Sequence, residues 1–423
     1  MAGLSVYFEA RRVGVIEVGD AGPTFTYDDA WLDLRGAFPI SVTMPLRVEA
    51  FGADVILPWA SNLLPESQSL QTLGHLMGKS TADVIGILSE VGRDTAGALS
   101  IGRPGRSRVA DYWRPIESDN DLERIINELP NKPFLIGDDG VSMSLAGVQT
   151  KLAVARDGDR LCIPIDGAPS THILKPDSDR LFGGVQNEAF CLVLGRKIGL
   201  TVPDVTTGKA GSRSYLLVER YDRRLLNGRW RRLHQEDFCQ ALGKPPGAKY
   251  QTNHLGIPGP TLKDMFGVSR KHMRPAEILK LLDIVIFNVL CVNTDAHAKN
   301  YALLLSAGGA SMAPVYDVMC ADVFDGVTKN MAQKIAGKSR GDHLCGRHWQ
   351  RMAVECGLNP SRTLQRVERL ASSVLMQAEA ALKAVEAMPA GGHAMLKNVH
   401  DAVIRRAQHI KTQIAEVEPD HAP

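Results

Sequence analysis

The fold is decided by the stretch Asn293-Thr294-Asp295-Ala296-His297-Ala298-Lys299-Asn300, which is followed a short distance on by Pro314-Val315-Tyr316-Asp317. The two segments contain an Asp, then an Asn five positions later, and then a second Asp. A kinase needs these groups in this order, because the first Asp orients the attacking hydroxyl while the Asn and the later Asp hold metal ions. Each segment alone also fits an ordinary turn, at a helix cap or at a strand end. Together they predict a phosphoryl-transfer site.

The segment before this stretch, from Leu281 to Leu290, is apolar almost throughout and predicts a buried helix. Asp295 then lies on the loop that leaves a rigid element, which is where a reacting group is held with most precision.

Composition limits the possible classes of protein. A chain of 423 residues, 44% of them hydrophobic, is long enough for two or three packed units. The net charge of +2 neither requires nor excludes a nucleic-acid partner. Seven scattered cysteines without a Cys-x-x-Cys pair argue against a disulfide framework or a zinc site and fit a reducing compartment. The N-terminus does not resemble a signal peptide, and the apolar windows are too short for a membrane span. We therefore expect a cytoplasmic protein that does not enter a membrane.

The chain changes from a β-rich to an α-rich texture along its length. Residues 1–110 predict a small β/α subdomain that begins with short strands and then looks helical from residue 58, residues 111–232 a β-rich lobe, and residues 233–423 an all-α lobe. This order predicts an α+β fold of the two-lobed protein-kinase-like class, with a cleft between the lobes where a nucleotide would sit.

Local signals support several of these elements. The run Gly19-Asp20-Ala21-Gly22-Pro23 predicts a hairpin between two strands. Val185–Ile198 predicts a helix that ends at Gly199, and Asn359-Pro360 predicts the start of a long helix.

The β-rich lobe supplies candidates for binding a nucleotide. Lys175 ends the apolar run Thr171–Lys175, and kinases keep a lysine that pairs with nucleotide phosphates at such a place; a solvated lysine at a strand end is the alternative. Farther on, a buried strand runs into a polar break near Glu219 and Tyr221, whose backbone groups are candidates for contacting adenine.

The segment Val141–Lys151 is rich in small residues. It is not Gly-x-Gly-x-x-Gly, and the chain contains no Walker-type motif. One glycine and a closing lysine, Lys151, are compatible with a backbone nest for phosphate. A β-turn in which Ser142 and Ser144 serve as turn hydroxyls is the alternative.

Taken together, these motifs resemble the HipA-type toxin kinases of bacterial toxin–antitoxin modules. The resemblance extends over nearly the whole chain and rests on an ordered set of segments: Ser144-Leu-Ala-Gly-Val-Gln-Thr-Lys151, Thr171-His-Ile-Leu-Lys175, Val218-Glu-Arg-Tyr-Asp222, Gln235-Glu-Asp-Phe-Cys-Gln-Ala-Leu242, Asn293–Asn300 and Tyr316-Asp317.

The resemblance implies roles for the residues of the catalytic region. Asp295 would orient the substrate hydroxyl, and Asn300 and Asp317 would hold Mg²⁺. His297 and Gln235 would line the same site.

The resemblance also implies an ATP site. Lys175 would contact an ATP phosphate, and Glu219 and Tyr221 would border the adenine.

In the small-residue loop, Ser144 aligns with the serine that such kinases phosphorylate on themselves, and Lys151 with the lysine that closes their phosphate loop. Many members of the family carry Glu before that lysine, whereas this chain has Thr150. This chain therefore departs from the family at the phosphate loop and keeps its catalytic pair.

The resemblance implies partners as well. Members of the family phosphorylate a serine of a protein, an aminoacyl-tRNA synthetase in one case, and so halt translation. A small helix-turn-helix antitoxin dimer restrains them and binds operator DNA, so contact with DNA would be made mainly through the antitoxin.

Two other classes of function stay open. Kinase-like folds also host small-molecule phosphotransferases, and the identity of the molecule that receives label from ATP would separate them. A catalytically silent corepressor is the second alternative, and the presence of all the expected acidic groups argues against it.

Overall fold

The computed structural model describes residues 3–106, 112–178 and 180–415. The chain divides into two compact units, the first formed by Met1–Pro176, Gly208–Pro246 and Ala302–Ala313, and the second by Asp177–Thr207, Gly247–Tyr301 and Pro314–Pro423. Both units are assembled from non-contiguous segments. The three regions expected from the sequence (1–110, 111–232 and 233–423) stay a prediction.

The strands β1 to β17 are, in chain order, Leu4–Phe8, Arg11–Gly19, Gly22–Tyr27, Leu99–Ile101, Trp113–Pro115, Leu152–Asp157, Arg160–Pro164, His172–Pro176, Val205–Ala210, Arg213–Glu219, Arg223–Leu226, Arg229–Arg232, His234–Asp237, Ala302–Ser306, Gly309–Met312, Asn330–Ile335 and Lys338–Arg340. The helices α1 to α12 are Asp29–Leu32, Ala53–Ser61, Ser67–Met77, Val84–Val91, Asp119–Glu128, Gly184–Lys197, Phe238–Ala241, Leu262–His272, Pro275–Leu290, Gly346–Glu355, Pro360–Glu386 and Ala394–Ala415. Both kinds of element are abundant, and the predicted α+β class is confirmed.

The first unit begins with a four-stranded sheet in the order β3-β2-β1-β4. The predicted hairpin is present, with β2 and β3 antiparallel and Gly19 opposite Gly22. Alternate residues of β3 are buried, as expected for a strand with one face on a core. Phe25, Trp31 and Trp59 fill that core. The helical texture expected from residue 58 onward is wrong after α4, because β4 pairs with β1 there, and residues 107–110 lie outside the described residues.

A six-stranded sheet in the order β5-β7-β6-β8-β10-β9 follows in the same unit. In the antiparallel pair of β8 and β10, Lys175 lies opposite Leu216, and Glu219 lies opposite His172. The sheet thus fixes both the predicted lysine and the predicted adenine-bordering residue on neighbouring strands.

The chain after residue 233 is less purely helical than the predicted all-α lobe. A three-stranded sheet, β13-β14-β15, belongs to the first unit, and the hairpin β16-β17 belongs to the second. The two-stranded sheet β11-β12 was also missed, although its Asn227-Gly228 turn is a strong hairpin signal, with both residues at positive φ.

The second unit is built mainly from helices, with α11 packed against α6, α9, α10 and α12. The predicted start of α11 is confirmed, because the Asn359 side chain accepts a hydrogen bond from the Arg362 amide at 2.9 Å and Pro360 is the first helical residue. The helix α9 is buried along its C-terminal half, as predicted, and ends just before the Asn293–Asn300 stretch. Within the described residues, every helix is too short or too polar to cross a membrane.

Candidate active site

The stretch Asn293–Asn300, which carries the candidate catalytic Asp295, leaves α9 through a tight turn. Val292 has a φ of +54°, a conformation that costs energy for a β-branched residue and so marks a constrained site. The Asn293 side chain donates to Asn288 Oδ1 at 2.8 Å and to the backbone oxygen of Asp317 at 3.4 Å. Asn288 in turn donates to the Tyr301 hydroxyl at 3.1 Å. These buried amide contacts tie the loop of Asp295 to the loop of Asp317.

Asp295 is exposed, whereas its neighbours on both sides are buried. Its backbone is held on both sides: its N–H donates to Asn293 Oδ1 at 3.2 Å, and its carbonyl accepts from the His297 N–H at 2.7 Å and from Asn300 Nδ2 at 2.8 Å. Its carboxylate accepts a hydrogen bond from the Tyr250 hydroxyl. A fixed backbone that presents an accessible carboxylate is the arrangement needed to orient a hydroxyl for attack.

His297 follows Asp295 by two residues, donates its backbone N–H to the Asp295 carbonyl, and is 5% exposed. Burial, reinforced by the positive charge of Lys249 and Lys299, lowers the pKa of His297 well below its usual range, although Asp317 opposes the shift. The imidazole is therefore neutral near pH 7, and its Nδ1 has no hydrogen-bond partner within the described part of the chain. A neutral buried ring is better suited to shaping the site than to carrying charge.

The groups expected to hold a metal lie in this same unit. Asn300 uses its amide N–H toward Asp295, which leaves its carbonyl oxygen directed elsewhere. Asp317 has a φ of +57°, a left-handed conformation that Asp tolerates better than most residues. One amide oxygen and one carboxylate are hard oxygen ligands and fit Mg²⁺, which in kinases takes its remaining ligands from water and nucleotide phosphates. Within the described residues, no group of three or more His, Cys, Asp and Glu side chains could hold a metal ion.

The residues expected to contact ATP lie in the first unit. Lys175 is buried to 7% exposure on β8, whereas a strand-end lysine in water would be exposed. Glu219 ends β10 on the neighbouring strand. The Tyr221 hydroxyl donates to Gln235 Oε1, and Gln235 Nε2 donates to Asp222 at 3.0 Å. Tyr221 and Gln235 are therefore joined through direct contacts.

Asp222 anchors these two residues to a buried ionic cluster that the sequence did not reveal. The cluster consists of Asp94, Asp222, Arg220, Arg223 and Arg232, each 5% exposed or less. Burial would raise the pKa of Asp222, but Arg220 and Arg223 hold that pKa well below its ordinary value. The Gly97 N–H also donates to Asp222 at 2.7 Å. In the sequence, the only local sign of this cluster is the high density of charged residues after residue 219. That density does not show that the charged side chains are buried.

The small-residue loop is packed against the N-terminal part of the first unit. Ser144 is fully buried, and its hydroxyl donates to the Leu63 carbonyl at 2.8 Å. Lys151 Nζ donates to the Ala146 carbonyl at 2.7 Å. Gly147 has a φ of +107°, a backbone conformation that other residues rarely adopt, so glycine is favoured at this position. The loop is thus more than a surface turn with solvated serines.

The structure therefore places the candidate residues in two sets. Asp295, His297, Asn300 and Asp317 are brought together in the second unit by direct contacts and short segments. The first unit holds the other set, Gln235, Lys151, Lys175, Glu219, Tyr221 and Ser144.

Sequence reasoning missed Tyr250, which lies 45 residues from Asp295 along the chain. No local pattern marks such a contact.

Comparison with known proteins finds two matching domain families along the chain. A HipA N-terminal domain matches residues 4–102, and a HipA-like C-terminal domain matches residues 143–378. A candidate kinase of Sinorhizobium fredii (strain NBRC 101917 / NGR234), Y4mE, is 36% identical over 394 residues, which cover 90% of this chain and 92% of that protein. The serine/threonine-protein kinase toxin HipA of Shewanella oneidensis is 30% identical over 347 residues, 78% of each protein.

The solved complex of HipA, HipB and operator DNA from Shewanella oneidensis MR-1 contains a chain of the same fold. The TM-score is 0.84 at 24% identity, and the match covers 98% of this chain and 100% of that chain. The fold is accordingly that of a kinase-like α+β protein. The extent of the domain matches and of the sequence identity shows more: the chain belongs to the HipA-like family of kinase toxins.

Proposed function

We propose that this chain is an ATP- and Mg²⁺-dependent serine/threonine protein kinase that acts as the toxin of a toxin–antitoxin pair. The observation that carries the proposal is the exposed carboxylate of Asp295 on a backbone held at both ends, with Asn300 bonded to it and Asp317 tied to the same loop through Asn293. Membership of the HipA-like family supports the same activity.

Each residue has a defined task in this proposal. Asp295 accepts a hydrogen bond from the acceptor hydroxyl and receives its proton as the oxygen attacks the γ-phosphorus of ATP, while the bond from that phosphorus to the bridging oxygen breaks and ADP leaves. Asn300 and Asp317 would hold Mg²⁺, which would neutralise charge on the phosphates. Lys175 pairs with an ATP phosphate. His297 shapes the wall of the catalytic loop.

In the first unit, Glu219 and Tyr221 border the adenine, and Gln235 orients Tyr221. Lys151 closes the phosphate loop. These contacts would fix the nucleotide, and positioning supplies much of the rate in phosphoryl transfer.

The acceptor is proposed to be a serine of a protein of the translation machinery, with an aminoacyl-tRNA synthetase as the leading candidate from the family resemblance. A small helix-turn-helix antitoxin dimer is the proposed restraining partner, with operator DNA bound mainly through it. The Shewanella complex, which contains HipA, HipB and operator DNA, supports this arrangement.

Ser144 is proposed as a site of self-phosphorylation that turns the kinase off. Its hydroxyl is buried and donates to the Leu63 carbonyl, so the loop must leave this packed position before Ser144 can be phosphorylated. A phosphate would add close to two negative charges and could not return to the buried site, which would keep the loop out and weaken the binding of ATP.

The function is tested by the transfer of label from γ-labelled ATP to protein in a lysate that lacks the endogenous enzyme. We expect labelling of a protein band by the wild type and a loss of at least a hundredfold in Asp295→Asn, because the neutral amide cannot accept the proton. Asp159→Asn, an exposed carboxylate of the first unit, is the matched control and should label normally. Label on a metabolite alone, or full activity of Asp295→Asn, would contradict the proposal.

A further inference from the structure

We propose that Tyr250 is a gate on the catalytic carboxylate, whose hydroxyl occupies Asp295 until the hydroxyl of a phosphoacceptor replaces it. The inference rests on the proposed kinase function and concerns the regulation of that same site. Its basis is the hydrogen bond from the Tyr250 hydroxyl to Asp295 Oδ1.

The bond has the chemistry of the contact that a substrate would make. A serine or threonine acceptor presents an O–H donor to the catalytic carboxylate, and a phenol presents the same kind of donor. Tyr250 therefore occupies a position on Asp295 that an acceptor needs. An acceptor hydroxyl must displace it or share the carboxylate with it.

The ring of Tyr250 is supported on its other side by His297. The two rings meet edge to face, with centroids 5.2 Å apart and an interplanar angle of 89°. This contact gives the half-buried Tyr250 ring a defined position, in which its hydroxyl donates to the Asp295 carboxylate. We call this position closed.

The backbone on both sides of Tyr250 is fixed. The Lys249 carbonyl accepts from the Ala298 N–H at 3.1 Å, and the Gln251 N–H donates to the Ala332 carbonyl at 3.0 Å. The Gln251 side chain accepts from the Lys334 N–H at 2.7 Å. Opening therefore requires rotation of the Tyr250 side chain and not movement of the loop. Such rotations of partly exposed side chains are fast and leave the fold unchanged.

The gate has a consequence that does not depend on knowing the acceptor. Water is the smallest competing acceptor, and a kinase that orients water on its catalytic carboxylate hydrolyses ATP without a product protein. While Tyr250 holds the carboxylate, water is oriented less often. Without the phenol hydroxyl, the ring loses its bond to a charged group, and such bonds are strong enough to change a population about tenfold.

The experiment measures steady-state hydrolysis of saturating ATP·Mg²⁺ by the full chain without any acceptor protein. We expect Tyr250→Phe to hydrolyse ATP about tenfold faster than the wild type, with an unchanged Kd for ATP and an unchanged melting temperature. Tyr215→Phe, which removes a phenol hydroxyl from a strand of the first unit, is the matched control and should hydrolyse at the wild-type rate. The double variant Tyr250→Phe, Asp295→Asn should return to the rate of Asp295→Asn, since the gate acts through that carboxylate.

The outcomes separate the gate from the function on which it rests. Wild-type label transfer that is lost in Asp295→Asn, combined with unchanged or slower hydrolysis in Tyr250→Phe, would overturn the gate alone. Slower hydrolysis together with a lower melting temperature would assign Tyr250 a merely structural role. Equal label transfer by the wild type and Asp295→Asn would overturn the kinase assignment and the gate with it.

Discussion

Replacing Asp222 by Asn removes the carboxylate that joins the predicted ATP-contacting residues to the buried ionic cluster. In the wild type, Asp222 accepts from Arg220 at 2.8 and 2.9 Å and from the Gly97 N–H at 2.7 Å, and it lies 3.1 Å from Arg223. Gln235 Nε2 also donates to it at 3.0 Å. The variant would keep the shape of the side chain but lose its charge. One of the two acceptor oxygens would be replaced by an NH₂ group, which is a donor.

The size of the effect follows from the burial of the cluster. Three arginines face two aspartates, all within the interior of the first unit. Removing one carboxylate leaves Asp94 as the only acidic member of the cluster. Breaking a buried ion pair from one side costs about 3–5 kcal/mol, because the remaining charge stays desolvated. Since Asn retains one acceptor oxygen, we expect Asp222→Asn to lower the free energy of unfolding of the first unit by about 3 kcal/mol.

Urea denaturation followed by tryptophan fluorescence measures this effect, because four of the five tryptophans lie in the first unit. Asp159→Asn is the control: Asp159 pairs with Arg156 at 3.3 Å but is fully exposed, so its loss should leave the urea midpoint unchanged. We also expect weaker ATP binding in Asp222→Asn, since Arg220, the Gly97 N–H and Gln235 would compete for the single acceptor oxygen of the amide. A midpoint for Asp222→Asn as close to the wild type as that of Asp159→Asn would refute the reasoning.

Three further predictions concern single groups. Asp317→Ala and Asn300→Ala should raise the Mg²⁺ concentration needed for activity by at least tenfold, because each removes an oxygen ligand; an unchanged Mg²⁺ dependence of ATP binding in calorimetry would remove both residues from the metal site. Incubation with ATP·Mg²⁺ should place a phosphate on Ser144, detected by mass spectrometry, and the modified protein should bind ATP weakly; phosphate absent from this residue, or undiminished affinity, would contradict the proposed switch. Burial raises the pKa of Glu236 to about 8, so the protonated carboxyl stabilises the fold fully below its unfolded pKa, and this stabilisation is lost as pH rises toward 8. Glu236→Gln should therefore lose less stability than the wild type between pH 5 and 8 in urea titrations. Identical pH profiles of the two proteins would show that the carboxyl is not protonated in the fold.

The site could be predicted from sequence where its residues are close together in the chain. Asp295 and Asn300 are five residues apart, and the hydrogen bond between them spans one short loop. Asp317 follows after a single strand pair, so the order of the motif already implies proximity. The buried helix before Asp295 was predicted for the same reason, since apolar content and length are local properties.

Local chemistry likewise determined most of the elements. The hairpin at Gly19–Pro23 is set by residues that favour a turn, and the start of α11 is set by the Asn359 cap and the fixed φ of Pro360. The strands after residue 233 were missed, because short apolar runs such as Ala302–Ser306 have no period that separates a strand from a buried helix. The strand that pairs with Ala302–Ser306, His234–Asp237, lies far back in the sequence.

The sequence by itself determined the set of candidate catalytic groups and the local elements that carry them, because both depend on spacing within a few turns of chain. Only the tertiary structure decided which side chains contact these groups and which of the groups are buried. The hydrogen bond from Tyr250 to Asp295 spans 45 residues, and the hydrogen bond from the buried Ser144 to the Leu63 carbonyl spans 81. The pair of Asp94 and Arg223 spans 129 residues. Contacts at such separations are fixed by the packing of whole elements against one another, and no local pattern of residues records them.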